Sequence, residues 1–307
     1  MTSDKGLQEA IERAFEAGCA HRAEGDVARY IPELAKVDPS RLALAIATAD
    51  GDEVARGDAN TGFTLQSASK VFALACVLQA GEGDLFDHIS VEPSGDAFNS
   101  IVKLEAEAGK PRNPYINAGA LVVSSRLGGD SAETRMATLI RFFASLGVEV
   151  VADEAVCRSE ADTGYRNKAL ANMLRQYHHI PDVERALATY FRQCSLTLNA
   201  RELARAGGFL ANRGVDPRSG KRILEFNDCR RVVALMTTCG MYDEVGVQAV
   251  RVGVPTKSAV SGAMIAIVPG RMAIAAYAPA LGPKGNSIAG TAMLERLALD
   301  LDLSVFG

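Results

Sequence analysis

The chain has 307 residues, of which 48% are hydrophobic and 23% are charged, and its formal net charge is -4. These values are typical of a globular protein with a sizeable core. A slightly acidic chain lacks the basic surface that binds nucleic acid or anionic lipid. No apolar run approaches the roughly 20 residues that a membrane-spanning helix needs. We therefore expect neither a nucleic-acid nor a membrane partner.

The cysteines and histidines give no pattern of a disulfide framework or a metal site. The six cysteines stand at positions 19, 76, 157, 194, 229 and 239, without a C-x-x-C pair or closely spaced ligands. His178 and His179 are adjacent, so on a helix their side chains point apart and cannot share one metal. The sequence therefore predicts reduced thiols, a cytoplasmic location and no bound metal.

The first predicted elements are a helix and a pair of strands. Residues 1–18 alternate charged residues with apolar residues at helical spacing, which predicts an amphipathic surface helix. The apolar run at 42–47 has the length of a strand. A turn at 50–52 then leads into a second strand at Val54, so we expect an antiparallel pair.

The stretch FTLQSASKVFALACVLQAG at residues 63–81 predicts an extended entry followed by a helix that begins with Ser67 as its N-cap. Apolar residues cover every face of this helix, so we expect it to be buried with Lys70 as its one charge. Ser67 and Lys70 are three residues apart and therefore share a face. Burial lowers the pKa of a lysine, and its neutral amine can take a proton from a neighbouring hydroxyl. The pair is a candidate for acyl-transfer chemistry; an ordinary cap and a lysine that reaches the surface are the alternatives.

Ordered loops, a helical middle and a final β region follow. Gly, Pro, Ser and Asn are frequent between 81 and 117, and scattered apolar residues there predict ordered, functional loops. Apolar spacing predicts helices at 132–146, 167–177, 183–194, 200–212 and 230–241. The tail predicts strands at 247–254, 263–268 and 272–277, and a closing helix at 287–301.

Strands near both ends of the chain, around a helical middle, predict an α+β fold in which an antiparallel sheet flanked by helices carries an inserted all-helical lobe. We expect a single catalytic domain over 1–307. Its α/β lobe would comprise about 1–66 and 243–307, and its helical lobe about 67–242. A substrate would bind in the cleft between the lobes.

A second lysine supports a particular arrangement of this fold. Enzymes of the penicillin-recognising architecture place a Ser-x-x-Lys helix and a Lys-[Ser/Thr]-Gly strand on facing sides of one pocket. Lys257 and Ser258 follow the Ser67 helix in that order. A solvated lysine at a strand edge is the alternative interpretation of Lys257.

Nine strings in sequence order resemble the serine-dependent glutaminase family. They are YIPELA from Tyr30, SASK from Ser67, EPSGDAFNS from Glu92, NPYINAGA from Asn113, SEADTGYRN from Ser159, YFRQCS from Tyr190, LMTTCGMYDE from Leu235, VGVPTKSAV from Val252 and GNS from Gly285. They extend over about 260 residues, which makes the resemblance highly specific. It implies hydrolysis of L-glutamine to L-glutamate and ammonia, a β-lactamase-like fold, a homo-oligomer (dimer or tetramer) and no metal or organic cofactor.

The resemblance also implies roles for individual residues. Ser67 would attack the amide, Lys70 and Tyr242 would transfer protons, and the main-chain N–H groups of Ser67 and Val260 would form the oxyanion hole. The implied substrate-binding residues are Tyr30, Ser67, Asn117, Glu160, Asn167, Tyr190, Tyr242 and Val260. Among them, Glu160 suits an α-ammonium group. Without the resemblance, roles in caps, loops and the core would be the simpler interpretation of these residues.

The segment after Lys257 departs from the family pattern. Glycines are expected where this chain has Ala259, Ser261 and Ala263. If the backbone there needs a positive φ or a close approach, these side chains would displace an oxyanion-hole donor. Two alternatives therefore stay open: a hydrolase of the same fold that acts on another amide or a β-lactam, and a glutamine-binding homologue with impaired catalysis.

Overall fold

The computed structural model describes residues 4–22, 24–81, 83–95 and 97–307. Its strands are β1 (Ala43–Thr48), β2 (Glu53–Gly57), β3 (Phe63–Thr64), β4 (Val151–Ala152), β5 (Leu196–Leu198), β6 (Thr256–Ser258), β7 (Ala263–Val268) and β8 (Met272–Tyr277). Its helices are α1 (Asp4–Ala20), α2 (Ser69–Gln79), α3 (Leu85–His88), α4 (Ile101–Ala106), α5 (Asn117–Ser125), α6 (Ala132–Ser145), α7 (Glu154–Thr163), α8 (Tyr165–Gln176), α9 (Val183–Cys194), α10 (Ala200–Ala211), α11 (Phe226–Cys239), α12 (Val245–Arg251) and α13 (Ile288–Leu301). This mixture of helices and antiparallel strands confirms the predicted α+β class.

The main sheet has five strands in the order β2-β1-β8-β7-β6, and every neighbouring pair is antiparallel. Successive side chains of a strand point to opposite faces. In β1, Leu44 and Ile46 pack on one face with α1 and α13, while Ala43, Ala45 and Ala47 face the helical part of the chain. Both faces of this sheet are therefore buried, and its strands read as continuous apolar runs.

The alanine-rich face allows a helix to pack closely against the sheet. α10 crosses this face, and a Cβ added at Gly207 would lie 2.9 Å from Ile265 Cδ1 and 3.0 Å from the Cβ of Ala273. Small residues on both sides therefore set the distance between helix and sheet. α2, α5 and α9 pack in the same hydrophobic core, which fixes these helices relative to the strands.

Several predicted elements are confirmed and two are wrong. The strand pair β1–β2, the hairpin β7–β8 and the closing helix α13 occur where the sequence places them. The predicted strand at 247–254 is wrong, because 245–251 forms α12. The predicted N-cap is also wrong: Ser67 lies within a 3₁₀ turn over Gln66–Ala68, and α2 begins at Ser69.

The first helix, the loops over 81–117 and the cysteines can also be compared with the predictions. The predicted first helix is observed from Asp4, and its residues 1–3 lie outside the described part. The loops predicted over 81–117 contain the short helices α3 and α4 and the start of α5. All six cysteines are free thiols. None of the helices in the described residues combines the length and apolar character that crossing a bilayer requires.

Candidate active site

Seven of the nine predicted site residues surround one cavity of about 380 Å³. They are Tyr30, Ser67, Asn117, Glu160, Asn167, Tyr190 and Val260. The other two, Lys70 and Tyr242, are buried behind its wall, with exposed fractions of 1% and 8%. A cavity of this size can hold a small organic molecule. The predicted residues therefore converge from separate segments along most of the chain.

Ser67 reaches the cavity from the tight turn that precedes α2. The 3₁₀ turn places Ser67 in the cavity wall, and its side chain is buried. Gln66, directly before it, has a left-handed φ of 46°. A non-glycine residue in this region stores strain, which occurs preferentially at functional sites. The predicted burial of α2 is confirmed, because residues 69–78 are all buried.

Asn117 links Lys70 to the cavity. The Nζ of Lys70 donates to Asn117 Oδ1 at 2.8 Å and to the main-chain oxygen of Tyr115 at 3.1 Å. The hydroxyl of Tyr190 donates to the same Oδ1 at 3.2 Å, and Asn117 Nδ2 donates to Asn167 Oδ1 at 2.9 Å. These donors fix the orientation of the Asn117 amide. Among the described residues, Lys70 Nζ has no hydrogen bond to Ser67.

The start of α5 holds Asn117 in place. Its main-chain N–H donates to the Phe98 carbonyl at 2.8 Å, and Asn113 Oδ1 accepts from the N–H groups of Tyr115 and Ile116. A Cβ at Gly119 would lie 1.9 Å from the main-chain oxygen of Asn113, so only glycine permits this close approach. The Asn-rich segment that precedes α5 is therefore folded against its first turn.

Burial shifts the pKa of Lys70 and of Glu160 in opposite directions. It lowers the pKa of Lys70 to about 8, and the nearby Cys194 and Glu160 partly oppose this shift. It raises the pKa of Glu160 to about 7, while Gln66 and Lys70 act in the opposite direction. A lysine with a pKa near 8 supplies a substantial fraction of neutral amine close to neutral pH. The lysine is therefore suited to accept a proton.

Tyr242 lies behind the cavity wall, next to the end of β6. Its hydroxyl donates to the Ser258 carbonyl at 3.4 Å, and its ring lies 4.8 Å from the Phe98 ring, between centroids. Burial raises the pKa of the Tyr242 phenol, and the nearby Ser67 and Ser258 partly counteract it. The residue has a φ of 56°. A neutral phenol at this place can both donate and accept a proton through hydrogen bonds.

Two residues that line the cavity have a main-chain N–H group without a hydrogen-bond acceptor among the described residues. Ser67 and Val260 both line the cavity. Within the described residues, neither N–H group has a hydrogen-bond acceptor. Buried N–H groups without a partner are rare, because each costs desolvation free energy. The pair therefore indicates a binding place for an oxygen atom that carries or develops negative charge.

The turn that carries Val260 contains the three positions at which this chain lacks the glycines of the family pattern. Its positive-φ residue is Gly262, at 89°, where a Cβ would lie 2.2 Å from the Ala278 oxygen. Ala259, Ser261 and Ala263 have ordinary φ values. Glycine is thus retained where the backbone requires it, and the three substituted positions impose no left-handed strain.

Comparison with known proteins gives the family. The glutaminase family model matches residues 25–306. The chain belongs to the glutaminase family. A glutaminase from Rhizobium johnstonii is 48% identical over 289 residues, covering 92% of this chain and 93% of the relative. A thermolabile glutaminase from Rhizobium etli is 45% identical over 306 residues, covering 98% and 99%.

Solved structures of glutaminases share the fold of this family member. The probable glutaminase ybaS superposes with a TM-score of 0.95 at 37% identity, covering 99% of each chain. A probable glutaminase from Bacillus subtilis in complex with 6-diazo-5-oxo-L-norleucine gives a TM-score of 0.89 at 35% identity, covering 100% of this chain and 98% of that one. These neighbours confirm the predicted β-lactamase-like fold.

Some residues of this glutaminase site were not among the sequence predictions. Gln66, Phe98 and Arg166 line the cavity, and Cys194 lies behind it near Lys70. Gln66 directly precedes Ser67, which is the one signal that marks it in the sequence. The other three lie within strings that carry the family resemblance, but their side chains alone suggest no role, and the packing of α8, α9 and the loop before α4 brings them to the site.

Proposed function

We propose that this protein hydrolyses the side-chain amide of L-glutamine to L-glutamate and ammonia through a serine acyl-enzyme. The observation that carries the proposal is the cavity that joins Ser67 and two unpaired N–H groups, with a buried lysine of lowered pKa behind its wall. Membership of the glutaminase family supports the same chemistry. The complex of the Bacillus subtilis relative with a glutamine analogue supports this substrate.

In the proposed acylation step, the Ser67 oxygen attacks the γ-carboxamide carbon. The neutral amine of Lys70 accepts the hydroxyl proton. The N–H groups of Ser67 and Val260 stabilise the negative charge that develops on the carbonyl oxygen, a contribution of about 3 kcal/mol per donor in comparable sites. Lys70 and Tyr242 pass the proton to the amide nitrogen, which leaves as ammonia. The product of this step is a glutamyl ester on Ser67.

In the proposed deacylation step, water takes the place of ammonia. The same Lys70 and Tyr242 remove a proton from the water, which attacks the ester carbon. The bond to the Ser67 oxygen breaks, and the proton returns to that oxygen. Glutamate leaves, so that one water is consumed and one ammonia is released per cycle. The reaction needs no metal or organic cofactor.

The cavity offers complementary groups for the amino-acid part of the substrate. Glu160, as a carboxylate, would bind the α-ammonium group. Asn167 Oδ1 already accepts from Asn117, which leaves its Nδ2 donors for the α-carboxylate. The hydroxyls of Tyr190 and Tyr30 provide further neutral hydrogen bonds, with Tyr30 at the mouth of the cavity, 58% exposed. A neutral pocket for the side-chain amide would disfavour glutamate, which carries an additional charge.

An ammonia-release assay with L-glutamine, L-asparagine and L-glutamate tests this function. We expect turnover of glutamine, much slower release from asparagine, and none from glutamate. Binding of glutamine without ammonia release would instead identify an impaired homologue. Covalent labelling by a fluorescent penicillin, without glutamine turnover, would identify a β-lactam-directed enzyme of the same fold.

Replacing Glu160 should affect substrate binding more than chemistry. We expect Glu160→Gln to raise KM about 10- to 100-fold, because a charge-assisted hydrogen bond of about 1.5–3 kcal/mol is lost. Two groups should make the wild-type kcat/KM fall as the pH decreases: Lys70 near its pKa of about 8, and Glu160 near its pKa of about 7. The variant should keep the first step and lack the second. Steady-state kinetics between pH 5.5 and 9 measure both effects.

Glu154→Gln is the matched control for that experiment. Glu154 begins the same helix, α7, but its side chain is 55% exposed and pairs with Arg192. We expect this variant to retain the wild-type KM and pH profile. A Glu160→Gln enzyme with an unchanged KM and an unchanged step near the Glu160 pKa of about 7 would contradict the proposed ammonium site.

We also propose a homo-oligomer, a cytoplasmic location and the division into an α/β lobe (about 1–66 and 243–307) and a helical lobe (about 67–242). Exposed apolar side chains support association: Val102 is 77% exposed and Val250 89%. Light scattering on the purified protein measures the subunit number, and a monomer at micromolar concentration would contradict this proposal.

A further inference from the structure

Lys257 is a fully buried lysine that the proposed chemistry does not use. It stands in the middle of β6 with no exposed surface. Its Nζ donates to the Gly240 carbonyl at 2.9 Å and to the carbonyl of Ser258. The same nitrogen lies 4.2 Å from the centroid of the Tyr242 ring. A buried amine needs such partners, because an unpaired one costs several kcal/mol.

The carbonyls that Lys257 binds belong to the two segments that hold Tyr242. Gly240 directly follows α11, two residues before Tyr242, and its carbonyl also accepts from the Ser258 N–H at 3.2 Å. Ser258 ends β6 and accepts from the Tyr242 hydroxyl. Lys257 therefore bridges the loop that carries Tyr242 to the strand that leads to Val260. Since Tyr242 has a left-handed φ, its conformation depends on such surrounding contacts.

The shared acceptor connects Lys257 to the Tyr242 phenol. Two donors, Lys257 Nζ and the Tyr242 hydroxyl, bind the one Ser258 oxygen. Because Lys257 already donates to this oxygen, the hydrogen bond from the Tyr242 hydroxyl to it is weaker, and this bond is long, at 3.4 Å. The phenol is thus left free to exchange its proton elsewhere. If the Lys257 donor were absent, Ser258 would hold the phenol more tightly.

We propose that Lys257 is a positioning residue for Tyr242. Its Nζ bridges the carbonyls of Gly240 and Ser258 beneath the phenol ring. The Tyr242 hydroxyl is thereby held near Ser67 and is bound only weakly to Ser258. This inference rests on the proposed proton-transfer role of Tyr242. Burial and the neighbouring Lys70 lower the pKa of Lys257. The neutral amine retains two N–H donors, one for each carbonyl, so the bridge is possible in both protonation states.

A double-mutant cycle between Lys257→Met and Tyr242→Phe tests the proposal. We expect Lys257→Met to lower kcat about 10- to 100-fold with KM nearly unchanged, because a displaced catalytic group slows the reaction without weakening binding. In the Tyr242→Phe background, the same substitution should cost less than about threefold. Equal losses in both backgrounds, or a loss confined to KM, would overturn the proposal.

The cycle separates this inference from the proposed function. If Tyr242→Phe alone leaves kcat unchanged, the proton-transfer role of Tyr242 is wrong. If Tyr242→Phe lowers kcat and the two losses multiply, only the Lys257 inference is wrong. Lys110→Met is the matched control, because Lys110 Nζ also donates to a carbonyl, that of Phe86, at 3.1 Å. We expect its effect to be additive with Tyr242→Phe.

Two further measurements cover the case in which Lys257→Met does not fold. Lys257→Gln retains a neutral donor, and partial retention of kcat relative to wild type would support the bridge. NMR of lysine labelled at 13Cε tests the contact in the folded enzyme. A Lys257 resonance shifted by the Tyr242 ring should lose this shift in Tyr242→Leu, and an unshifted resonance in the wild type would overturn the proposal.

Discussion

Ser67→Ala is expected to abolish nearly all turnover of glutamine, with a decrease in kcat of about 10⁴-fold or more. The substitution removes the only oxygen that the proposed acylation step can use, whereas the two N–H groups of the oxyanion hole stay in place. Glutamine should still bind, so it should still raise the melting temperature of the variant. An ammonia assay and a thermal shift measurement give the two results. The substrate analogue 6-diazo-5-oxo-L-norleucine should leave the variant unlabelled.

A buried serine away from the cavity provides the control. The Ser124 hydroxyl donates to the Ala120 carbonyl at 2.8 Å and contacts Gln193 Oε1 at 2.9 Å. Ser124→Ala should lower the free energy of unfolding by about 1 kcal/mol, while kcat stays within about threefold of wild type. Full activity of Ser67→Ala would remove Ser67 as the nucleophile.

Lys70→Met is expected to lower kcat about 10²- to 10⁴-fold, the range that a positioned general base contributes. In the wild type, kcat/KM should rise with pH as Lys70 loses its proton in the free enzyme, with a midpoint near the pKa of about 8. The sign follows because the neutral amine is the active form. Methionine fills a similar volume, so the folded state should be retained. Steady-state kinetics from pH 6 to 10 should show this rise of kcat/KM in the wild type and its loss in the variant.

Two observations would contradict the role of Lys70. One is a variant that keeps kcat within threefold of the wild type; the other is a variant with an unchanged alkaline rise. Lys221→Met, at an exposed position outside the site, is the control and should preserve both kcat and the pH dependence of kcat/KM. Lys70→Met also removes the hydrogen bond from Lys70 Nζ to Asn117 Oδ1, at 2.8 Å, which joins Lys70 to the cavity wall.

Tertiary contacts explain why a helix forms where the sequence predicts a strand at 247–254. The valines at 250, 252 and 254 alternate in a way that is typical of a strand, yet α12 occupies residues 245–251. Gln248 is buried and donates to the Thr256 hydroxyl at 3.0 Å, and Gly253, with a φ of 67°, turns the chain into β6. Local propensity gives way when such contacts are present. Val250 consequently lies on the surface, 89% exposed.

The sequence by itself determined the α+β class, most of the long helices and the burial of α2, and it marked Ser67 and Lys70 as candidate site residues. These features depend on periodicity and short spacing, which a linear chain displays directly. Nine strings in order also gave the family.

Only the tertiary structure decided how the active groups meet. The contact of Lys70 with Asn117, the unpaired N–H groups of Ser67 and Val260, and the Lys257 bridge to Tyr242 join segments far apart in the chain. The same is true of the pKa values of Lys70 and Glu160, because desolvation depends on everything that packs around a group. No local pattern contains this information, since it arises from the packing of helices against one alanine-rich sheet face.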